Sequence, residues 1–405
     1  MSVKQDSQLL IKTLFFLAIV DTVNGFFLNK GIESPIGIIF KAFILLVACK
    51  MLCSLPKFKG LLFFTCVYIP SFLTIVILNT DSQIGATITH LLKFVNVVFV
   101  YYAAVMIFKS ESISEKKIHA IFHINSIVLL LNIYVGLLGI GYYAYENNLG
   151  CRGFIYAHNE MSGMQAVLFG VSYYFIYDRY ASKKVVLLIV NCFFLIAALL
   201  VTTKAGILLV LISLILVPLV HMKYGVFYSF LKMSKKKLVV LLSIVCVVFY
   251  CGYVLLDYSG AISRWAYFFG KDGVNAIYSS RDTFWKEEKM EWEEGNLGVK
   301  LFGMGGARTV EMDQADTLLN YGIVGIVVVY LFYLSLVVKA FRERKINPYA
   351  YFVFGMDVFI LAASCFAGHL LFSGLMGIPF ALMNALIYRK NENFVDIKHV
   401  SFRKG

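Results

Sequence analysis

Residues 185–220 read VVLLIVNCFFLIAALLVTTKAGILLVLISLILVPLV, a run whose single formal charge is Lys204. About 20 consecutive apolar residues suffice for a helix to cross a bilayer. This run holds two such stretches, 185 to 202 and 205 to 221, joined by the tight hairpin Thr202-Thr203-Lys204-Ala205-Gly206. Working outward, similar stretches recur at about 9 to 28, 35 to 54, 60 to 78, 86 to 108, 118 to 141, 159 to 178, 238 to 256, 316 to 338, 349 to 366 and 370 to 388. The expectation is an all-α polytopic membrane protein of about 12 transmembrane helices, with residues 1–405 forming a single integral membrane domain. Composition agrees, since 60% of residues are hydrophobic and 15% charged, where soluble domains use about 45–50% and 25%.

The formal net charge is +13, but the cations are not gathered in one patch, which argues against nucleic acid as a partner. They alternate. Lys50, Lys57 and Lys59 fill one gap, and Lys109, Lys116 and Lys117 the next on the same side. Arg179, Lys183 and Lys184 follow, then Lys223, Lys232 and Lys235 to Lys237, then Lys339, Arg342, Arg344 and Lys345. A basic tail over 389–405 completes the set. The intervening short gaps hold only Lys30, Arg152 and Lys204. Such asymmetry puts both termini in the cytoplasm and makes the lipid bilayer the partner of the basic clusters. The first apolar run lacks a small-residue cleavage site, so it is read as a retained helix. Of the eight cysteines, seven lie in or beside apolar segments and only Cys151 is expected to be exposed; no disulfide framework emerges.

One long gap, 257 to 315, then faces outward. It contains all three tryptophans, Trp265, Trp285 and Trp292. Its charged stretch from Arg281 to Trp292 puts Trp285, Lys289 and Trp292 near one helical face, and the expectation is a short helix along the outer surface. Charges within spans, namely Asp21, Lys41, Lys93 and Asp357, either carry function or pair with one another. Lys93 shares its face with His90 and Asn96.

Four outward sites combine charge with special backbone. Arg152 precedes His158 and Asn159 at a helix start, where free N–H groups and a guanidinium together suit a phosphate; Asn159 is expected as the N-cap. Lys204 runs against the charge bias. Arg281 opens the charged helix, and Arg308 lies close to Glu311, Asp313 and Asp316, at the mouth of the span starting near 316. Acidic groups there also suit the helix dipole. His369 follows Ala367-Gly368 between the last two spans. Cations stabilise a departing diphosphate, while carboxylates or imidazole accept a hydroxyl proton. No metal-ligand cluster of conventional spacing occurs, so no cofactor is expected and charge stabilisation falls to protein groups.

In the order of these parts the chain resembles the bacterial O-antigen polymerase and O-antigen ligase superfamily. The resemblance covers roughly 85 to 388 and rests on Arg152-Gly153 before His158-Asn159, Thr203-Lys204, Ser280-Arg281 with Trp285, Glu311-x-Asp313-x-x-Asp316 before Gly322-x-x-Gly325, and Ala367-Gly368-His369-Leu370-Leu371-Phe372-Ser373. It implies a GT-C-like membrane glycosyltransferase, metal-independent, that acts on undecaprenyl-pyrophosphate-linked oligosaccharide at the outer face of the bacterial cytoplasmic membrane. It also implies a flippase and a chain-length regulator as companions. By position, Arg152, Arg281 and Lys204 would hold the pyrophosphate, with His158, Asn159 and Arg308 beside it. Glu311, Asp313, Asp316 and His369 would engage or deprotonate the acceptor. Ligases of this type carry His-Asn where this chain has Glu311-Met312 and an arginine where it has Lys204, so a polymerase is favoured over a ligase. A polysaccharide transporter is the expectation of another class; the two halves of the chain show no self-similarity that would favour it.

Overall fold

The computed structural model describes residues 3–53, 84–110, 113–145, 148–223, 250–270, 281–305 and 308–389. The expected span over 60–78, most of that over 238–256, and the basic tail beyond Arg389 lie outside the described residues. In chain order the described helices are α1 (Val3–Leu14), α2 (Leu17–Asn29), α3 (Ile36–Cys53), α4 (Ile84–Lys109) and α5 (Glu115–Gly136). A hairpin follows, β1 (Tyr142–Tyr145) with β2 (Leu149–Gly153), and then α6 (His158–Tyr180), α7 (Lys184–Val201) and α8 (Lys204–Lys223). The remainder comprises α9 (Ala261–Phe269), α10 (Arg281–Glu294), α11 (Leu297–Phe302), α12 (Asp313–Glu343), α13 (Pro348–Ser364) and α14 (Gly377–Ala385).

Six of these helices, α3, α4, α5, α7, α8 and α12, are long and apolar enough to cross a membrane, and α1 with α2 makes a seventh if the pair counts as one span bent by 51°. The chain is a predominantly helical polytopic membrane protein. The bend has a local cause. Asn125 of α5 accepts from Ala18 N at 2.8 Å and donates to Leu14 O at 2.9 Å, so the backbone groups freed at the break are satisfied by a neighbouring helix.

At the centre stands α6, in which every residue from Glu160 to Phe175 is buried. It packs on α5, α7, α8 and α14, while α13 lies against α8 and α12, and α4 against α14 and α3. Small residues permit the closest approaches: a Cβ on Gly170 would sit 2.8 Å from Ser213 Cβ of α8.

Two elements depart from the reading of the sequence. The span expected over 370–388 is helical only from Gly377, and residues 365–376 are irregular, exposed at Cys365 and Phe366 and largely buried from Leu370 onward. The gap between α5 and α6 forms the β hairpin, which docks on α5 through Asn132: its Nδ2 donates to Arg152 O at 3.0 Å and its Oδ1 accepts from Phe154 N at 3.0 Å. Within the long gap, α10 exists as expected, and Trp285 and Trp292 pack against a small separate core of Val299, Met304, Val310, Met312, Ala315 and Leu319.

Candidate functional site

The hairpin, the N-terminus of α6, the α7–α8 link, the start of α10 and the segment after α13 converge on a cavity of about 940 Å³. Its wall brings together Arg152, His158, Asn159, Lys204, Arg281, Glu311 and His369, residues spread over more than half of the chain. Among the described residues four cations line it, Lys93, Arg152, Lys204 and Arg281, against two carboxylates, Glu160 and Glu311.

Each group is held from below. Arg152 leaves β2 and donates from Nε to Tyr143 O at 2.9 Å and from Nη1 to Tyr156 O, with its guanidinium 5.0 Å from the Tyr142 ring centroid. These partners are neutral, and among the described residues Arg152 forms no salt bridge. Burial pulls its proton affinity below the usual arginine range, yet a guanidinium stays charged in any protein. His158 is bonded through Nε2 to Val201 O at 3.0 Å, tying the start of α6 to the end of α7. Thr202 caps α7 in the left-handed conformation, φ 59°, and so turns the chain sharply enough for Lys204 to begin α8.

Arg281 grips Glu311 Oε2 from Nη2 at 2.8 Å and Nε at 3.2 Å, and its Nη1 donates to Phe366 O at 2.6 Å. Glu311 and His369 both adopt positive φ, 60° and 66°, which costs a non-glycine residue about 1–2 kcal/mol. Gly368 lets the two loops meet, because a Cβ there would lie 2.6 Å from Glu311 Cα. Burial pushes His369 below the ordinary histidine range.

The sequence did not single out Glu160, which enters the cavity wall beside Lys93. Its Oε1 accepts from Lys93 Nζ at 2.6 Å, and its Oε2 takes Gly374 N at 2.6 Å, Leu375 N at 3.0 Å and the Ser373 hydroxyl at 3.2 Å. His90, Lys93 and Asn96 lie three residues apart on α4, as expected, but each bonds to a different partner. His90 bonds Tyr321 through Nδ1 at 2.6 Å and stacks on Phe372, while Asn96 donates to Lys41 O. Tyr145 and Tyr156 also line the cavity. Their only signal in the sequence was proximity to Arg152.

Other expected site residues lie elsewhere. Arg308 is engaged by Glu288 at 2.7 Å and by Glu291 at 2.6 Å, and the hydrogen bonds to Glu291 hold its guanidinium above the usual range. It fastens α10 to the loop before α12. Asp313 accepts from the backbone N–H groups of His369, Leu370 and Leu371 at 2.7, 3.0 and 2.9 Å. Asp316 accepts from Val310 N at 2.5 Å. Neither is part of the cavity wall. Asn159 is not the N-cap, a position taken by Ala157, and Cys151 is buried, not exposed, because β2 folds its side chain against Gly136 of α5.

A cationic cavity of this size can hold a polyanionic headgroup together with attached polar groups, and it offers both a carboxylate and an imidazole as proton acceptors. No protein-family model matches the chain, and neither does any curated protein.

Proposed function

We propose that the chain is a membrane glycosyltransferase that polymerises undecaprenyl-pyrophosphate-linked oligosaccharide repeat units at the outer face of the bacterial cytoplasmic membrane, within a twelve-span GT-C-like bundle. The observation that carries this reading is the cavity itself: four cations and two carboxylates in one chamber of about 940 Å³, beside two left-handed residues that bear a carboxylate and an imidazole. Cations fixed before the reaction stabilise charge as it develops on a leaving diphosphate. Arg152, held by neutral carbonyls and rings, keeps its full charge available for that oxygen cluster. Glu311 and His369 stand where an acceptor hydroxyl would be deprotonated. The tyrosines around Arg152 offer flat apolar faces to sugar rings.

In the reaction, the acceptor hydroxyl oxygen attacks the anomeric carbon of the donor glycan. The bond from that carbon to the phosphate oxygen breaks, and the lipid diphosphate departs against Arg152 and Arg281. Purified protein in lipid nanodiscs, given a lipid-linked repeat unit and a chelator, is expected to yield a ladder of longer chains. Arg152→Ala should slow the ladder by about 100-fold or more, the usual cost of losing one preorganised charge-stabilising donor. Products of unchanged chain length on a different acceptor would point to a ligase, and full activity of Arg152→Ala would remove the assigned role.

A further inference from the structure

Arg281 cannot hold Glu311 and a diphosphate through the same donors. Three of its five N–H donors are engaged, one each from Nε and Nη2 on Glu311 Oε2 and one from Nη1 on Phe366 O. The two carboxylates of the cavity are held very differently. Glu160 is fixed by Lys93, Ser373 and two backbone N–H groups, and its side chain is 9% exposed. Glu311 is 47% exposed and is gripped by Arg281 through one oxygen, while its Oε1 takes no hydrogen bond among the described residues. Its backbone, by contrast, is pinned: the positive φ and the close approach of Gly368 fix where the side chain starts. Glu311 therefore has an anchored root and a loosely held carboxylate.

We propose that Glu311 is an internal stand-in for the leaving group: an arriving diphosphate takes Arg281 away from it, and the released carboxylate becomes the base for the acceptor hydroxyl. The proposal rests on the diphosphate reading above. An ion pair whose carboxylate is half-exposed is weak enough to be exchanged, and a diphosphate brings more charge and more oxygens to the guanidinium fork than one carboxylate oxygen does. Donor binding thus releases Oε2 of Glu311, the oxygen that Arg281 holds until a donor is present. In the step that follows, the acceptor O–H bond breaks and its proton passes to Glu311. The oxygen's electron pair forms the new bond at the anomeric carbon, and the electron pair of the broken carbon–oxygen bond leaves on the diphosphate.

The test measures binding of geranylgeranyl diphosphate to the full-length protein in nanodiscs, alongside ladder formation. Glu311→Gln removes the competing charge. Glu311→Gly serves as a second variant because glycine adopts this backbone without strain. Both should bind the probe about five- to tenfold tighter than wild type, the scale of one exchangeable ion pair, while ladder formation falls by about 100-fold or more with the base gone. If wild type binds in an Arg152-dependent manner but both Glu311 variants bind equally or more weakly, the displacement is overturned and the diphosphate cavity stands. Tighter binding with undiminished ladder formation overturns the role as base. Should wild type bind no better than an Arg152→Ala/Arg281→Ala double variant, the diphosphate reading fails and this proposal with it.

Discussion

Asp313 and Glu160 satisfy with side chains the backbone groups that a helix would satisfy with its own carbonyls. Residues 369–375 pass through the interior without helical hydrogen bonding, and a buried N–H left without a partner costs about 1–3 kcal/mol. Asp313 takes three of these groups and Glu160 two more. Asp313→Ala should therefore destabilise the protein by about 3–5 kcal/mol. Asp313→Asn, which keeps one acceptor oxygen, should fall between that and wild type. Glu311→Gln should leave stability within about 1 kcal/mol of wild type, because the carboxylate lost from the pair is half-exposed and Gln keeps an acceptor oxygen for Arg281. Unfolding in mixed micelles separates the cases, and an Asp313→Ala variant as stable as wild type would show that these bonds are not what orders the segment. At this scale the sequence was legible in kind but not in pairing. It marked Asp21, Lys41 and Lys93 as charges inside apolar spans, and each has a partner: Lys41 meets Asp21 at 2.7 Å and Lys93 meets Glu160 at 2.6 Å. The partner of Lys93 lies 67 residues away on another helix, a distance that no local pattern spans.

Elements were legible where periodicity and length decide them, and illegible where tertiary contacts override composition. Residues 370–388 are apolar enough to suggest one continuous span, yet the chain is irregular up to Met376 because the carboxylates of α6 and α12 capture its N–H groups before they can enter a helix. A similar override breaks α12 internally: Gly322 sits at φ 62°, ψ −165°, with α11 against it. A Cβ on Gly322 would lie 2.4 Å from Leu301 C, and one on Gly303 would lie 2.3 Å from Asn320 C, while Met304 N donates to Leu319 O at 2.7 Å. The loop carrying Glu311 is built on this contact. Gly322→Ala should cost about 3–4 kcal/mol, combining left-handed strain with a backbone clash. Gly31 is also left-handed, at φ 74°, but a Cβ added there would meet nothing within 4 Å. It isolates the strain alone, and Gly31→Ala should cost about 1–2 kcal/mol. Equal melting temperatures for the two variants would mean that the α11–α12 contact is looser than its geometry implies. The Gly322 variant should also lose ladder formation, since Glu311 would no longer be held against Gly368.

For the molecule as a whole, the sequence carried the orientation argument in its charges, and the helix directions carry it in space. The start of α5, the start of α13 and the turn that follows α14 meet at one end, where Tyr349 bonds Glu115 and Arg389 bonds Ile113 O. That end holds Lys109, Lys116, Lys117, Lys339, Arg342 and Arg344. The cavity lies at the opposite end of α13, together with the start of α6 and the link from α7 to α8. By the excess of Lys and Arg, the proposed orientation has the first end in the cytoplasm and the cavity opening outward. What the sequence left hidden was that Arg152, Lys204, Arg281, Glu311 and His369 share a single chamber while Arg308, Asp313 and Asp316 stay outside its wall, because their meeting depends on how helices far apart in the chain pack. The orientation can be read with cysteines placed on exposed positions in a background with the native cysteines replaced. Lys286→Cys on α10 should react with a membrane-impermeant maleimide on intact cells, and Lys116→Cys at the start of α5 should react only after the membrane is opened. The reverse pattern would turn the cavity toward the cytoplasm, away from any glycan assembled outside, and a chamber of the same charge would then need a substrate drawn from within the cell.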